Sequence, residues 1–214
     1  MAGVVGASES FTDRARWTAA TKQSVDFTVD FEDFTDDTPV LERNAPVDAG
    51  PFEITEESDI FFPASGVTRI ETAPYPTRSR TLITVNGTNF MDTFVGESTN
   101  TRITLAMDAP IKRFGASFLN PGDEGDTLSP LQMTLMTESL EVVDVLTLPV
   151  LEGVTFFGFT SDTPVTSIVF SQEESSFFGI DDILGGYTIP EPSSLVFLAP
   201  SLWFIASRRQ FAHR

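Results

Sequence analysis

Hydrophobic and polar residues alternate strictly along segment 24–31. The apolar positions are Val25, Phe27, Val29 and Phe31. A period of two places apolar side chains on one face of a β-strand and polar ones on the other. The pattern therefore predicts a half-buried strand whose polar face is acidic, since Asp26 and Asp30 lie on it.

Further short apolar runs bounded by turn residues follow along the chain, and they predict a series of strands. They cover residues 52–54, 59–62, 67–71, 80–85, 102–107, 111–119, 131–137, 140–148, 154–160, 165–171 and 178–184. Segments 131–137 and 140–148 are predicted to form a hairpin that turns at Glu138 and Ser139. Helical periodicity is absent from this part of the sequence, which argues against alternating strands and helices. The spacing predicts an all-β, two-sheet β-sandwich.

The N-terminal part of the chain predicts one short helix. Ser10 and Asp13 form a helix-start pattern, and mostly helix-tolerant residues follow up to Lys22. We expect a helix over 12–22 that packs Trp17 against the sheet. Residues 1–10 lack the basic and apolar parts of a signal peptide, so they are interpreted either as the remnant of one or as a disordered segment.

Three physically different pieces follow one another in segment 188–214. Pro190, Glu191 and Pro192 form a rigid, extended strip, because each proline ring fixes its own φ and keeps the preceding residue out of the helical region. The apolar run 195–206 is shorter than the roughly 20 residues that cross a bilayer as a helix, so a buried core helix stays an alternative. Arg208 and Arg209 then place positive charge beyond the apolar run, which favours the cytoplasmic side of a membrane.

This order of pieces resembles the PEP-CTERM sorting signal of exported bacterial proteins. The resemblance implies that Pro190, Glu191 and Pro192 are the recognition element for an exosortase-type processing enzyme, and that Arg208 and Arg209 are the stop signal. It also implies a C-terminal hydrophobic sorting helix that anchors the protein in the inner membrane before processing. The protein would then be released to the cell surface or the extracellular matrix. The predicted organisation is an N-terminal segment 1–10, a β-sandwich domain 11–187 and a sorting tail 188–214.

Composition removes several classes of function. Asp and Glu outnumber Lys and Arg 31 to 13, so binding to the phosphates of nucleic acid is not expected. There is no cysteine, and the one histidine is His213 in the tail. A zinc-thiolate site, a cysteine nucleophile and a Ser-His-Asp triad therefore cannot be built in the body.

Two segments together resemble the jelly-roll domains of exported and extracellular proteins. Segment 178–183 reads Phe-Gly-Ile-Asp-Asp-Ile, and the early strand 25–32 reads Val-Asp-Phe-Thr-Val-Asp-Phe-Glu. In such domains the first and last strands lie side by side, and many of them bind carbohydrate or calcium. The resemblance implies a jelly-roll-like body with those strands adjacent.

A calcium site is the sharpest binding hypothesis for that junction. Its candidate ligands are Asp30, Glu32, Asp33, Asp181 and Asp182. Calcium takes six to eight oxygen ligands, which two adjacent acidic loops can supply. The alternative is that these residues are exposed positions on edge strands, with Asp181 hydrogen-bonded to backbone. No Asp-x-Asp-x-Asp-Gly loop is present in the sequence.

Carbohydrate contact is the activity expected of the body, by resemblance to these domains. The candidate aromatic platforms are Tyr75 and Tyr187, since Trp17 is expected in the core. The function predicted is therefore a non-enzymatic, exported surface or matrix protein that contacts extracellular polysaccharide, with Ca²⁺ as the candidate cofactor. The alternative is a secreted carbohydrate-active enzyme that uses paired carboxylates as acid and base.

Overall fold

The computed structural model of the chain describes residues 8–22, 24–32, 46–57, 69–72, 89–95, 102–119, 123–124, 127–151, 153–173 and 176–188. These ranges form an antiparallel β body with one short helix. The predicted all-β class with a short N-terminal helix is confirmed.

The helix α1 spans Arg14–Ala20. The strands are β1 Ser8–Phe11, β2 Phe27–Val29, β3 Val47–Asp48, β4 Phe52–Glu57, β5 Arg69–Thr72, β6 Asn89–Val95, β7 Arg102–Leu119, β8 Asp123–Glu124, β9 Thr127–Leu128, β10 Leu131–Met136, β11 Val142–Leu148, β12 Val154–Ser171 and β13 Ser176–Tyr187. The predicted hairpin of β10 and β11 is confirmed, with its turn at Glu138 and Ser139.

Two strands of 18 residues each, β7 and β12, pair with one another and run through the whole body. The sequence pattern predicts two strands in each of these segments, and Pro110 or Pro164 lies in the gap between them. In the structure both segments continue as strands, and the β7–β12 register shifts between Thr160 and Val165. A register irregularity bends a strand and accommodates a proline, which has no N–H to donate. The predicted pairs of short strands are therefore single bent strands.

The bends give β7 and β12 different neighbours in their two halves. The N-terminal half of β7 pairs with β4 and with the C-terminal half of β12, whose other edge pairs with β10. We call this group, with β3 and β11, the first half-sheet. The C-terminal half of β7 pairs with β13 and with the N-terminal half of β12, whose other edge pairs with β1. This group, with β2, β5 and β6, is the second half-sheet.

The main core lies where the apolar faces of the two half-sheets meet. The Phe170 ring of the first half-sheet lies 6.0 Å from the Phe118 ring and 5.6 Å from the Phe178 ring, both of the second. Phe27 and Phe52 make a similar contact at 6.4 Å. Complete burial of a Phe side chain stabilises a fold by about 1.5–3 kcal/mol. Much of the phenylalanine in this sequence therefore holds the half-sheets together.

A smaller core lies on the other face of the second half-sheet, under α1. Trp17 is fully buried there, and its indole Nε1 donates a hydrogen bond of 3.1 Å to the Phe159 carbonyl. A Cβ on Gly158 would lie 2.9 Å from the indole ring, so this position needs glycine. Its apolar neighbours are Phe11, Phe156 and Leu184. The prediction that the helix packs Trp17 against the sheet is confirmed.

The N-terminal boundary of the body differs from the prediction. β1 begins at Ser8 and pairs with β12, so residues 8–10 belong to the sheet rather than to a separate segment. The helix is capped by Asp13, whose carboxylate accepts a 2.7 Å hydrogen bond from the Arg16 N–H. It is therefore shorter than the predicted 12–22 at both ends.

The early acidic strand and the last described strand are neighbours, as predicted. β2 pairs with β13, and Val29 lies opposite Ile183. The predicted strands 59–62 and 80–85 and the tail from residue 189 lie outside the described residues. Within the part of the chain that the structure describes, no helix is long and apolar enough to cross a membrane.

Candidate functional site

Tyr187 ends β13 and lies on a mixed aromatic and charged surface. Its backbone N–H donates a 2.8 Å hydrogen bond to Oδ2 of Asp26, and its ring lies 5.3 Å from the Phe27 ring. Asp26 is held in place by its own N–H, which donates to the Gly185 carbonyl at 2.8 Å. The residues next to β2 therefore position the half-buried Tyr187 ring on the edge of the main core.

Arg113 of β7 completes this surface. Its Nη2 donates to Ser24 Oγ at 2.8 Å and to Asp26 Oδ2 at 3.0 Å. The guanidinium lies across Gly186, where an added Cβ would be only 1.8 Å from Nε. The Gly185–Gly186 pair thus provides a flat stretch of strand on which Phe27 and Arg113 can rest.

The electrostatic field around Tyr187 is negative. Burial raises the pKa of the Tyr187 phenol, and the nearby carboxylates of Asp108 and Asp26 raise it further. Asp108 is exposed and makes no side-chain hydrogen bond within the described residues. We call Asp26, Asp108, Arg113 and Tyr187 the Tyr187 surface.

The sequence pattern pointed to one residue of this surface, Tyr187, and not to the other three. A local signal existed for the flat strand, because two glycines precede the tyrosine. Asp108 and Arg113 come from β7, and Asp26 comes from the segment that leads into β2. Only the pairing of those strands with β13 brings them to Tyr187.

The second group of functional candidates is an acidic cluster, Asp30, Glu32, Asp181 and Asp182. β13 changes its partner here, from β6 up to Ile180 to β2 from Ile183 onward. Its pairing with β7 is irregular between Asp181 and Leu184. The structure therefore brings four of the five predicted calcium ligands to one junction, and the fifth, Asp33, lies outside the described residues.

Asp181 is fully buried, which differs from the exposed position that the alternative interpretation required. One carboxylate oxygen, Oδ1, accepts a 2.7 Å hydrogen bond from the Asp182 N–H, as that interpretation expected. The other oxygen, Oδ2, has no hydrogen-bond partner among the described residues. Burial raises the pKa of Asp181 to about 7 against the opposing hydrogen bond, with smaller contributions from the charges of Asp182, Asp30 and Glu32.

Asp182 ties this junction to the helix. Its backbone φ of 52° lies in the left-handed region, which residues other than glycine seldom adopt. Its Oδ2 accepts a 3.0 Å hydrogen bond from Arg14 Nη1 of α1, and the two form an ion pair. Since half of the Arg14 side chain is exposed, this pair stabilises the fold only modestly.

The described carboxylates do not by themselves form a metal centre. Within the described ranges, no three Asp, Glu or His side chains are grouped as ligands of one ion would be. Calcium at the acidic cluster therefore stays a prediction that needs ligands beyond these residues, Asp33 among them. The other predicted residues that lie outside the described chain are Tyr75, Pro190, Glu191, Pro192, Arg208 and Arg209.

Comparison with known proteins identifies no family for this chain. No protein-family model and no curated protein matches it. Among solved structures, the K2 cleaved adhesin domain of Lys-gingipain is similar with a TM-score of 0.46 and 13% identity, over 75% of this chain and 98% of that one. The enzymatically active domain of bacteriophage CBA120 tailspike protein 4 is similar with a TM-score of 0.39 and 12% identity, over 65% of this chain and 20% of that one.

Two sets of carbohydrate-binding modules are also similar. A family 6 module has a TM-score of 0.33 and 9% identity, over 63% of this chain and 94% of its own. The CBM32-1 and CBM32-2 domains of ZmpB from Clostridium perfringens have a TM-score of 0.31 and 9% identity, over 73% of this chain and 43% of theirs. Likeness at this level assigns no function to the chain.

Proposed function

We propose that this protein is a non-enzymatic, exported protein whose β body contacts carbohydrate through the Tyr187 surface. The observation that carries the proposal is the placement of the Tyr187 ring, which is half-buried against Phe27 and flanked by two carboxylates. An aromatic face accepts the apolar C–H face of a sugar ring, while adjacent polar groups fix its orientation. This combination is what a glycan-binding surface needs.

The finer fold that we propose is a jelly-roll-type β-sandwich. Two observations support it: the early strand β2 lies beside the last described strand, β13, and aromatic residues of the two half-sheets pack against one another. In this arrangement the Tyr187 surface lies where the last strand ends, next to the start of the predicted tail.

Export and anchoring are proposed from the sequence of the tail. The support is the order of its parts: the strip Pro190, Glu191 and Pro192, then an apolar run, then Arg208 and Arg209. An exosortase-type enzyme would process the tail at the inner membrane and release the body to the cell surface or the extracellular polysaccharide.

A glycan array with the purified full-length protein in detergent tests the carbohydrate proposal. We expect Tyr187→Ala to weaken retention of bound glycans at least about fivefold, because it removes the ring on which the sugar rests. Tyr187→Phe keeps that ring and is expected to bind nearly as well. Equal binding by wild type and Tyr187→Ala, with matching thermal unfolding, would show that the surface is not the site.

A second measurement distinguishes the proposed binding protein from the alternative, a carbohydrate-active enzyme. Glycans that the wild-type protein retains are incubated with it, and new reducing ends are quantified over time. A binding protein leaves the number of reducing ends constant, whereas a glycosidase with paired carboxylates increases it.

A further inference from the structure

We infer that Asp108 makes the Tyr187 surface select neutral sugars over sugars that carry carboxylates. This inference rests on the proposed carbohydrate contact and adds the class of glycan to it. It follows in three steps from the charges at the surface, the arginine there, and the hydrogen-bonding capacity that is left.

The first step is that the carboxylates of the surface act directly on the position where a sugar would lie. Asp26 Oδ2 accepts a 2.8 Å hydrogen bond from the Tyr187 N–H, and Asp108 lies on β7 two residues before Pro110, whose carbonyl accepts a 2.9 Å hydrogen bond from the Thr188 N–H. The charges of both carboxylates raise the pKa of the Tyr187 phenol, so they disfavour a further negative charge there. A uronic acid placed on the ring would bring such a charge into the same field. The whole protein adds to this repulsion, since its net charge is −18.

The second step is that the charge of Arg113 is already paired with that of Asp26, which leaves Asp108 as the carboxylate of this surface without an ion pair among the described residues. The Nη2 of Arg113 is already shared between Ser24 Oγ and Asp26 Oδ2, and only 16% of its side chain is exposed. Its Nε is buried over Gly186 and is therefore out of reach of a ligand. Arg113 therefore acts as a positioning residue for Asp26.

The third step is that Asp108 is the carboxylate of this surface that has both oxygens left for a ligand. Asp26 Oδ2 is occupied by the Tyr187 N–H and by Arg113, whereas Asp108 is exposed and makes no side-chain hydrogen bond in the described chain. A carboxylate accepts hydrogen bonds but donates none, so it matches the hydroxyl groups of a neutral sugar. Asp108 would thus attract hydroxyl groups and repel carboxylates at one position.

The test begins with an array that carries neutral glycans and glycans containing uronic acids, probed with the full-length protein in detergent and chelator. The best-retained neutral polysaccharide is then compared with the same polymer after oxidation of its primary hydroxyls to carboxylates. At constant ionic strength, we expect oxidation to weaken binding to wild type by about two- to fivefold, the size typical of one exposed charge pair.

Asp108→Asn is expected to remove most of that discrimination, because it removes the charge and keeps the side-chain shape. Glu138→Gln, in the exposed turn between β10 and β11, changes the net charge equally and is expected to leave the discrimination intact. Preferential retention of uronic acid glycans, or the same discrimination in Asp108→Asn as in wild type, would overturn this inference alone. Retention of no glycan at all would overturn the proposed function and the inference together.

Discussion

Asp181 is a carboxyl group that the fold has removed from water while leaving one of its oxygens without a partner among the described residues. An ionised carboxylate in such a place is costly, and protonation relieves most of that cost. The three acidic neighbours in the cluster increase the cost of ionisation. Asp181 is therefore expected to make the free energy of unfolding depend on pH.

The first prediction is that Asp181 makes the body less stable as the pH rises. The pKa of Asp181 is raised from 3.8 to about 7 on folding, so its stabilising contribution is complete below about pH 4 and is lost on the way to about pH 7. In that window the unfolding equilibrium constant of wild type, relative to Asp181→Asn, should rise by up to about tenfold per pH unit. Denaturant unfolding at several pH values in chelator measures it.

Glu138→Gln is the control for this prediction, since it removes an exposed carboxylate without touching the acidic cluster. Its stability should follow that of wild type across the pH range. If Asp181→Asn also runs parallel to wild type, Asp181 does not exchange a proton in this window and the prediction is wrong.

The calcium hypothesis involves the same carboxylate but predicts the opposite pH dependence of stability. A bound cation needs the ionised form of Asp181, so calcium would stabilise the body more as the pH rises. With a site formed by Asp181 and its neighbours, the melting temperature of wild type should increase with calcium and that of Asp181→Asn should not. An unchanged melting temperature with calcium and with chelator would remove the calcium hypothesis.

At the scale of elements, α1 is held to the sheet chiefly by one side chain. Trp17 is its only buried residue, and the indole both fills the space over Gly158 and donates to the Phe159 carbonyl. A helix of seven residues is not stable alone in water, so its formation depends on this contact.

The second prediction follows from that dependence. Trp17→Ala should destabilise the body by about 3–5 kcal/mol, because it leaves a cavity between α1 and the sheet. Ala15→Ser, at an exposed position of the same helix, should change stability by no more than about 0.5 kcal/mol. Denaturant unfolding of both variants measures the difference, and an equally small effect of both would show that α1 is not a structural part of the body.

The strands also show how much of the secondary structure the sequence pattern predicts. Alternation and short apolar runs between turn residues predicted eight of the thirteen described strands and missed β1, β3, β6, β8 and β9. The Glu138–Ser139 turn predicted the β10–β11 hairpin. The sequence pattern did not predict that β7 and β12 continue through Pro110 and Pro164, because a proline in a bend and a proline in a loop have the same local signature. Whether the chain turns back there depends on which strands lie beside it.

At the scale of the whole molecule, the last described strand and the predicted sorting tail are consecutive. β13 ends at Tyr187, and the Thr188 N–H still donates a 2.9 Å hydrogen bond to the Pro110 carbonyl. The backbone interactions of the body thus extend to the residue at which the predicted tail begins. If the tail is a sorting signal, the body should fold without it.

The third prediction compares the full chain with a version that stops at Thr188. Both should show the same thermal unfolding transition, and only the full chain should fractionate with membranes in cells that express it. Identical partition of both into the soluble fraction would contradict the sorting tail. A truncated chain that fails to fold would instead indicate that 195–206 is a core element.

The sequence by itself determined the all-β class, the helix that carries Trp17, and the absence of cysteine and histidine chemistry from the body. These features depend on local periodicity and on composition, and both can be obtained from the linear sequence without knowledge of the fold. It also supplied Tyr187 and the acidic residues as candidates for function.

Only the tertiary structure decided which of these residues meet and in what environment. The burial of Asp181, the division into two half-sheets, and the convergence of Asp26, Asp108 and Arg113 on Tyr187 all arise from pairing between strands far apart in the chain. The physical reason is that pairing and burial belong to contacts between distant segments. A local pattern can indicate which face of a strand is apolar, but it does not specify what that face will meet.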